Sequence, residues 1–190
     1  MAQDWTRGDY ELVRKARNKD GFLHALDPER FAYREPVILI VCSNWERRYD
    51  MVQHLAYLRG FSKTEDPRVH LFAWHGGPVR LAPCSPTNGG FMSASRIFLR
   101  EVSDTLMMTG FKEVMACGHW PCRKCIQHGL NVREAMRQLV AVKYLIEKEN
   151  PGTTVRTPFH LDYGDQIPKG MRSYHLNPRI CLDQLEIPNV

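Results

Sequence analysis

The chain has 190 residues, a formal net charge of +5 and an apolar content of 43%, which is ordinary for one soluble globular domain with a sizeable core. No apolar run approaches the roughly 20 residues of a membrane-spanning helix, and the N-terminus has no apolar signal segment, so we expect neither a membrane protein nor a secreted one. The basic residues are scattered rather than concentrated, which argues against a nucleic-acid-binding protein. Because a chain of this size does not need disulfide staples, the six cysteines indicate a cytoplasmic protein with reduced thiols.

Apolar periodicity and turn residues divide the chain into strands that alternate with helices. The predicted strands are Val37–Cys42, Arg68–Trp74, Glu113–Cys117 and Thr154–Tyr163. The predicted helices are Asp9–Lys19, Glu46–Arg59, Ser93–Thr109 and Asn131–Glu149. The segments predicted to be irregular are residues 20–36, Val79–Gly90 and the tail beyond Gly164. This alternation predicts an α/β fold with a mostly parallel sheet of about four to five strands, flanked by helices.

We interpret the chain as a single domain with an N-terminal arm (residues 1–36), an α/β core (37–164) and a C-terminal tail (165–190). The arm contains the first predicted helix, for which Asp9 is the expected N-cap. This helix has too little apolar surface to stand alone, so we expect it to pack across a neighbour such as a second subunit.

The stretch Glu113–Cys125 contains the strongest chemical signal in the sequence. After its short strand breaks at a glycine, His119, Cys122 and Cys125 follow within seven residues. A sharp turn can aim the imidazole and the thiolate of a His-x-x-Cys motif at one point, as in a zinc site. Two ligands do not complete such a site, and the best third donor is Cys42, at the end of another apolar strand. Because ligand sites in parallel sheets lie at the carboxyl ends of the strands, we expect the fold to bring Cys42 to His119.

Other interpretations of these cysteines stay open. Cys42 can be a small buried apolar residue, as most free cysteines in strands are. Cys122 and Cys125 can form a redox pair, or Cys125 can be a fourth ligand that closes a structural zinc site. A turn that aims Cys122 at the metal usually carries Cys125 into the following helix, which favours three protein ligands. The remaining cysteines are interpreted as ordinary packed or loop thiols: Cys84, Cys117 and Cys181.

Three segments, VILIVCSN, FAWHGGP and MACGHWPC, follow one another at suitable separations between Val37 and Tyr163. With them the chain resembles the β-class carbonic anhydrases. The resemblance implies a zinc ion (Zn2+) held by Cys42, His119 and Cys122, and carbon dioxide or bicarbonate as the small-molecule substrate. It also implies an α/β fold with an N-terminal helical arm, and a working unit that is a homodimer or an assembly of dimers.

The chain departs from that family at the residues that surround the metal ligands. The family motif Cys-x-Asp-x-Arg corresponds here to Cys42–Glu46, so that Asn44 replaces the aspartate and Glu46 replaces the arginine. The family's Arg-Asn-Ala-Gly turn is replaced by His75–Gly77. Arg123 follows the second zinc cysteine, where the family usually has glycine.

These departures change the expected activity more than the expected metal binding. Asparagine can accept a hydrogen bond through its carbonyl oxygen, but it carries no charge and cannot take a proton. We therefore expect zinc binding to survive and carbon dioxide hydration to be weak, absent or redirected to another small electrophile. The loss of an acid–base or positioning contact commonly lowers the reaction rate by a factor of around 10²–10⁴.

Three further functional alternatives stay open. A replacement base can come from a new direction, with Glu46, His75 and Asp50 as the candidates. The protein can also be a catalytically silent zinc protein that keeps the fold for binding or assembly. The third alternative is a thiol-redox protein that uses Cys122 and Cys125.

Overall fold

The computed structural model describes residues 5–18, 21–26, 35–62, 64–88, 92–163 and 171–185. Within these ranges the chain has an α/β fold with two four-stranded sheets, one of which is entirely parallel. One continuous cluster of buried apolar side chains includes residues from both sheets. None of the helices in these ranges combines the length and the apolar character that a membrane crossing requires.

The described secondary structure alternates along much of the chain, as the sequence predicts. The strands are β1 (Leu23–Ala25), β2 (Val37–Cys42), β3 (Val69–Trp74), β4 (Glu113–Ala116), β5 (Gly118–Trp120), β6 (Thr154–Arg156), β7 (Pro158–Asp162) and β8 (Met171–Leu176). The helices are α1 (Arg7–Ala16), α2 (Trp45–Leu58), α3 (Met92–Thr109), α4 (Arg123–Gln127), α5 (Val132–Glu149) and α6 (Pro178–Leu185). Two short 3-10 helices, Gly77–Leu81 and Pro86–Asn88, lie in the region between β3 and α3 that was expected to be irregular.

The parallel sheet has the strand order β3-β2-β4-β6. All six residues of its inner strand β2 are buried, which is why the sequence VILIVC is continuously apolar rather than alternating. Helices α2 and α3 begin and end within one residue of their predicted limits. Helix α5 begins at the predicted N-cap, because Asn131 and Glu134 form the expected capping box.

The second sheet has the order β1-β8-β7-β5 and was not predicted. Its β5 and β7 are parallel, whereas β8 is antiparallel to both β7 and β1. Two expectations are therefore wrong: the segment 20–36 contains β1, and the tail that was expected to be rich in turns contains β8 and α6.

The chain crosses from the parallel sheet to the second sheet at two points, the first at the end of the predicted strand Glu113–Cys117 and the second within the predicted strand Thr154–Tyr163. It leaves β4 at Cys117 and enters β5 at Gly118, where a Cβ atom would lie 2.8 Å from the Phe159 ring and 2.9 Å from Leu139. Likewise, Thr154–Tyr163 divides into β6 and β7 at Thr157, whose hydroxyl donates a hydrogen bond to the carbonyl of Leu176. The two sheets therefore meet along these crossings.

The N-terminal arm packs on its own chain. Thr6 is the N-cap of α1 and Asp9 is the third helical residue of a capping box, so the prediction that Asp9 is the N-cap is wrong. The Asp9 carboxylate is buried and also accepts a hydrogen bond of 3.3 Å from the amide of Val132, at the start of α5. The Trp5 indole donates a 2.8 Å hydrogen bond to the carbonyl of Asp162. Contacts within one chain therefore anchor a helix that was expected to need a neighbour.

Candidate metal centre

Three separate elements supply the three predicted ligands. Cys42 is the last residue of β2, His119 is the middle residue of β5, and Cys122 is the residue that precedes α4. All three side chains are buried, and their ligand atoms lie within 4.8 Å of one another. Ligand atoms of one tetrahedral zinc ion stand roughly 3.5–4 Å apart, given zinc–sulfur bonds of about 2.3 Å. The cluster can therefore hold a metal ion, as the sequence predicts.

The environment of His119 supports a ligand role. Its side chain is only 5% exposed, and neither ring nitrogen reaches a hydrogen-bond partner among the described residues. Leaving a buried polar group unpaired is unfavourable, so such a ring is rare without a ligand. A cation between the ring and the thiols of Cys42 and Cys122 would satisfy all three groups.

The thiols of Cys42 and Cys122 interact with each other. Hydrogen bonding with Cys122, together with burial, raises the pKa of Cys42 to about 12, although the nearby His119 ring acts in the opposite direction. Contact with Cys125 and burial raise the pKa of Cys122 to about 12, although its hydrogen bond with Cys42 acts to lower it. Metal binding at this site would therefore have to displace a proton from each thiol.

Cys125 lies beside the cluster but does not belong to it. Helix α4 carries Cys125, which is 1% exposed and contacts Cys122. The group of potential ligands within 4.8 Å contains three members among the described residues, and Cys125 is not one of them. The arrangement therefore favours three protein ligands over a closed four-ligand site.

A glycine turn after β3 supports Cys42 from the side. The amide of Gly76 donates a hydrogen bond of 3.4 Å to the Cys42 sulfur. Gly77 has a φ of +55°, and a Cβ atom there would lie 2.7 Å from the backbone nitrogen of Cys42. Only glycine allows this approach, so the two adjacent glycines of the sequence were the signal for a role that the sequence analysis missed.

A cavity of about 230 Å³ opens beside the two thiols. The residues that line it are Cys42, Ser43, Asn44, His75, Cys122, Arg123 and Lys124. Because the thiols are buried whereas His75 and Arg123 are exposed, the cavity runs from the protein surface down to Cys42 and Cys122. His75 Nδ1 lies 3.1 Å from the hydroxyl of Ser43, so these two side chains share a hydrogen bond across the wall.

The structure separates the candidates for a replacement base. Asn44 and His75 both line the metal-site cavity. Asp50 instead lines a larger cavity of about 520 Å³ on the side of α2, together with His54 and His160. The side chain of Glu46 lies outside the described part of the structure, so its role stays a prediction.

The three remaining cysteines, Cys84, Cys117 and Cys181, lie outside the metal cluster. Cys117 is fully buried, its thiol contacts the Met51 sulfur at 3.7 Å, and burial raises its pKa to about 12. Cys181 is buried near α5, whereas Cys84 is exposed. These observations agree with the interpretation from the sequence.

Comparison with known proteins gives no relative for this chain. No protein-family model, no curated protein and no solved structure matches it. The evidence for its function is therefore the site geometry and the chemistry of the side chains that form it.

Proposed function

We propose that this chain is a zinc protein of the β-class carbonic anhydrase type, in which Cys42, His119 and Cys122 hold the ion. The observation that supports this proposal most directly is the convergence of their ligand atoms within 4.8 Å around a buried imidazole. Two thiolates and one imidazole form a donor set that suits zinc. Three protein ligands beside a solvent-connected cavity also leave a fourth position accessible to a small molecule.

The bound ion would supply Lewis acidity and an acidified water for addition to carbon dioxide. The chain's own contribution is then to orient the reactants and to handle protons. Asn44 lines the cavity, where its amide can orient a partner by hydrogen bonding but cannot accept a proton. The rate of carbon dioxide hydration should therefore be lower than that of a site with a carboxylate, by a factor of around 10²–10⁴.

A catalytically silent zinc protein is the second candidate. The observation that favours it is the uncharged amide of Asn44 at the position where the family has its carboxylate. A protein of this kind would keep the metal for stability and use the fold for binding or assembly. We also propose a homodimer as the working unit, in line with the resemblance.

Metal analysis tests the zinc site. Purified protein should contain one zinc per chain, and Cys42→Ser or Cys122→Ser should lose it. Cys84→Ser is the matched control, because Cys84 is exposed and lies outside the cluster. Full zinc occupancy in both ligand variants would contradict the proposed site.

Stopped-flow measurement of carbon dioxide hydration tests the activity. The wild-type rate should be low, Asn44→Asp should raise it, and adding Glu46→Arg should raise it further because the family uses the two residues as a pair. A wild-type rate typical of the family would refute the importance of the missing carboxylate. If neither variant gains activity, the silent zinc protein is the better description.

A further inference from the structure

The larger cavity of about 520 Å³ is separate from the metal site. Its described wall residues come from α2, from the segment that follows this helix and from β7, and none of them also lines the metal-site cavity. Its volume falls within the approximately 300–1,000 Å³ of typical sites for drug-sized ligands. It is therefore large enough for a small organic molecule that has no part in the chemistry at the metal.

One helix supplies the polar part of this wall. Asp50, His54 and Tyr57 follow one another at spacings of four and three residues on α2, which places them along one face of the helix. The His54 ring lies 6.3 Å from the ring of His160, measured between centroids. His160 is 2% exposed, and its Nδ1 lies 2.8 Å from the hydroxyl of Ser173. The second sheet therefore holds an imidazole against the polar face of α2.

The charge of this wall favours a cation. Asp50 is half-buried and forms no ion pair within the described structure, and none of the described wall residues is a lysine or an arginine. Burial lowers the pKa of His54, so its imidazole is neutral at neutral pH and does not repel a positive charge. A protonated amine beside a carboxylate forms a charge-assisted hydrogen bond, which is stronger than one between neutral groups.

Much of the remaining wall is apolar. Its apolar residues are Val52, Ala56, Phe61 and Pro67. Arg59, which is 1% exposed and is not a wall residue, fixes the position of two of them: its guanidinium lies 5.1 Å from the centroid of the Phe61 ring and donates a 2.7 Å hydrogen bond to the carbonyl of Pro67. A ligand with a hydrocarbon body gains free energy by burying it here.

An inorganic cation fits this cavity less well than an organic one. Hard divalent cations require several oxygen ligands around one point. The described residues form no cluster of three potential metal ligands other than Cys42, His119 and Cys122. One carboxylate beside an apolar surface instead matches a molecule with a single positive charge and a hydrocarbon body.

We propose that this cavity binds a small organic amine, with the protonated amino group at the Asp50 carboxylate and the hydrocarbon body against the apolar wall around Phe61. The proposal goes beyond the proposed function, because it requires neither a metal ion nor any residue of the metal-site cavity.

Three ligands of similar size and different charge test the proposal on the unaltered protein. Phenethylamine is positive, phenethyl alcohol is neutral and hydrocinnamate is negative, and each is added to the ¹⁵N-labelled chain at constant ionic strength. Phenethylamine should shift the amide NMR signals of Gln53, Tyr57 and Phe61 saturably and bind about tenfold more tightly than the alcohol. No saturable shift of these signals, or equal or tighter binding of the alcohol or hydrocinnamate, would overturn the proposal.

A pair of variants tests the role of the carboxylate. Asp50→Asn should weaken phenethylamine binding about tenfold and leave the Kd of phenethyl alcohol unchanged. The matched control is Glu101→Gln, which removes one negative charge from an exposed position outside the cavity and should leave both Kd values unchanged. Equal phenethylamine affinity in the two variants would overturn the proposal. If Asp50→Asn does not fold, the comparison of the three ligands on the unaltered protein decides the question.

Discussion

Gly77 shows how one residue sets the position of Cys42. Its hydrogen atom faces the backbone of Cys42, where a Cβ atom would come within 2.7 Å of nitrogen and 3.0 Å of the Val41 carbonyl carbon. Because both contacts are to backbone, no side-chain rearrangement can relieve them. The end of β2 can therefore lie beside the cavity only if this turn residue lacks a side chain.

We predict that Gly77→Ala destabilises the protein by about 3 kcal/mol, combining left-handed backbone strain with the displacement of β2. Gly152→Ala is the matched control, because Gly152 also has a positive φ of +86° but a Cβ atom there would meet nothing within 4 Å. It should cost only about 1 kcal/mol. Urea unfolding measures both values, and equal losses would contradict the role given to the close approach. Zinc affinity should fall in Gly77→Ala alone.

The convergence of Cys42, His119 and Cys122 could be predicted from the sequence, but the surroundings of these residues could not. His119 and Cys122 share a recognisable spacing, and Cys42 stands at the end of an apolar strand. The contribution of Gly76 depends on how the turn after β3 packs against the end of β2, which no local pattern encodes. The sequence therefore predicted which three side chains converge and missed the glycine turn beside Cys42.

Helix α1 shows how an element can be fixed by one buried carboxylate. Asp9 accepts hydrogen bonds from the amides of Thr6 and Val132, so the same group completes the capping box of its own helix and joins this helix to α5. Its side chain is on the buried face of α1, whereas Glu11 on the exposed side pairs with Arg7.

Replacement of Asp9 by alanine should lower the free energy of unfolding by about 2–3 kcal/mol, because it removes a cap and leaves a buried amide unsatisfied. Glu11→Ala should change it by less than about 1 kcal/mol, since exposed ion pairs contribute little. Chemical denaturation of the two variants provides the comparison. An equally small loss in both would show that the arm is not anchored through Asp9.

The two inner strands of the parallel sheet, β2 and β4, were predictable because all of their residues are buried and their sequences are largely apolar. The second sheet was not, because β1 and β5 have only three residues each and gain their stability from distant partners. The pairing of β1 with β8 joins residues more than 140 positions apart in the sequence, from Leu23 to Leu176. Periodicity within a short window cannot reveal such a pairing.

The stability of the whole molecule should depend on pH through a half-buried histidine in the second sheet. Burial lowers the pKa of His175, and the positive charges of His24, Arg156 and Lys143 lower it further. The folded protein therefore keeps this imidazole neutral, whereas the unfolded chain takes up a proton near pH 6.5. The contribution of His175 to the free energy of unfolding is therefore fully present above about pH 6.5 and decreases as the pH falls below it.

We predict a loss of up to about 1.4 kcal/mol per pH unit below pH 6.5 from this group, until the lower pKa of the folded state is reached. His175→Gln should flatten the dependence, and the exposed His70→Gln should leave it unchanged. Burial also lowers the pKa of His54, so some dependence should persist in His175→Gln. Unfolding curves between pH 5 and 8 measure the effect, and parallel curves for all three proteins would contradict it.

The most direct measurement of the central claim is X-ray absorption spectroscopy of the zinc-loaded protein. We predict two sulfur ligands at about 2.3 Å and two lighter ligands at about 2.0–2.1 Å. Cys42→Ser should lose one sulfur from that shell, and Cys125→Ser should lose none. A wild-type shell with three or more sulfurs, or with none, would contradict the convergence of Cys42, His119 and Cys122 on one ion.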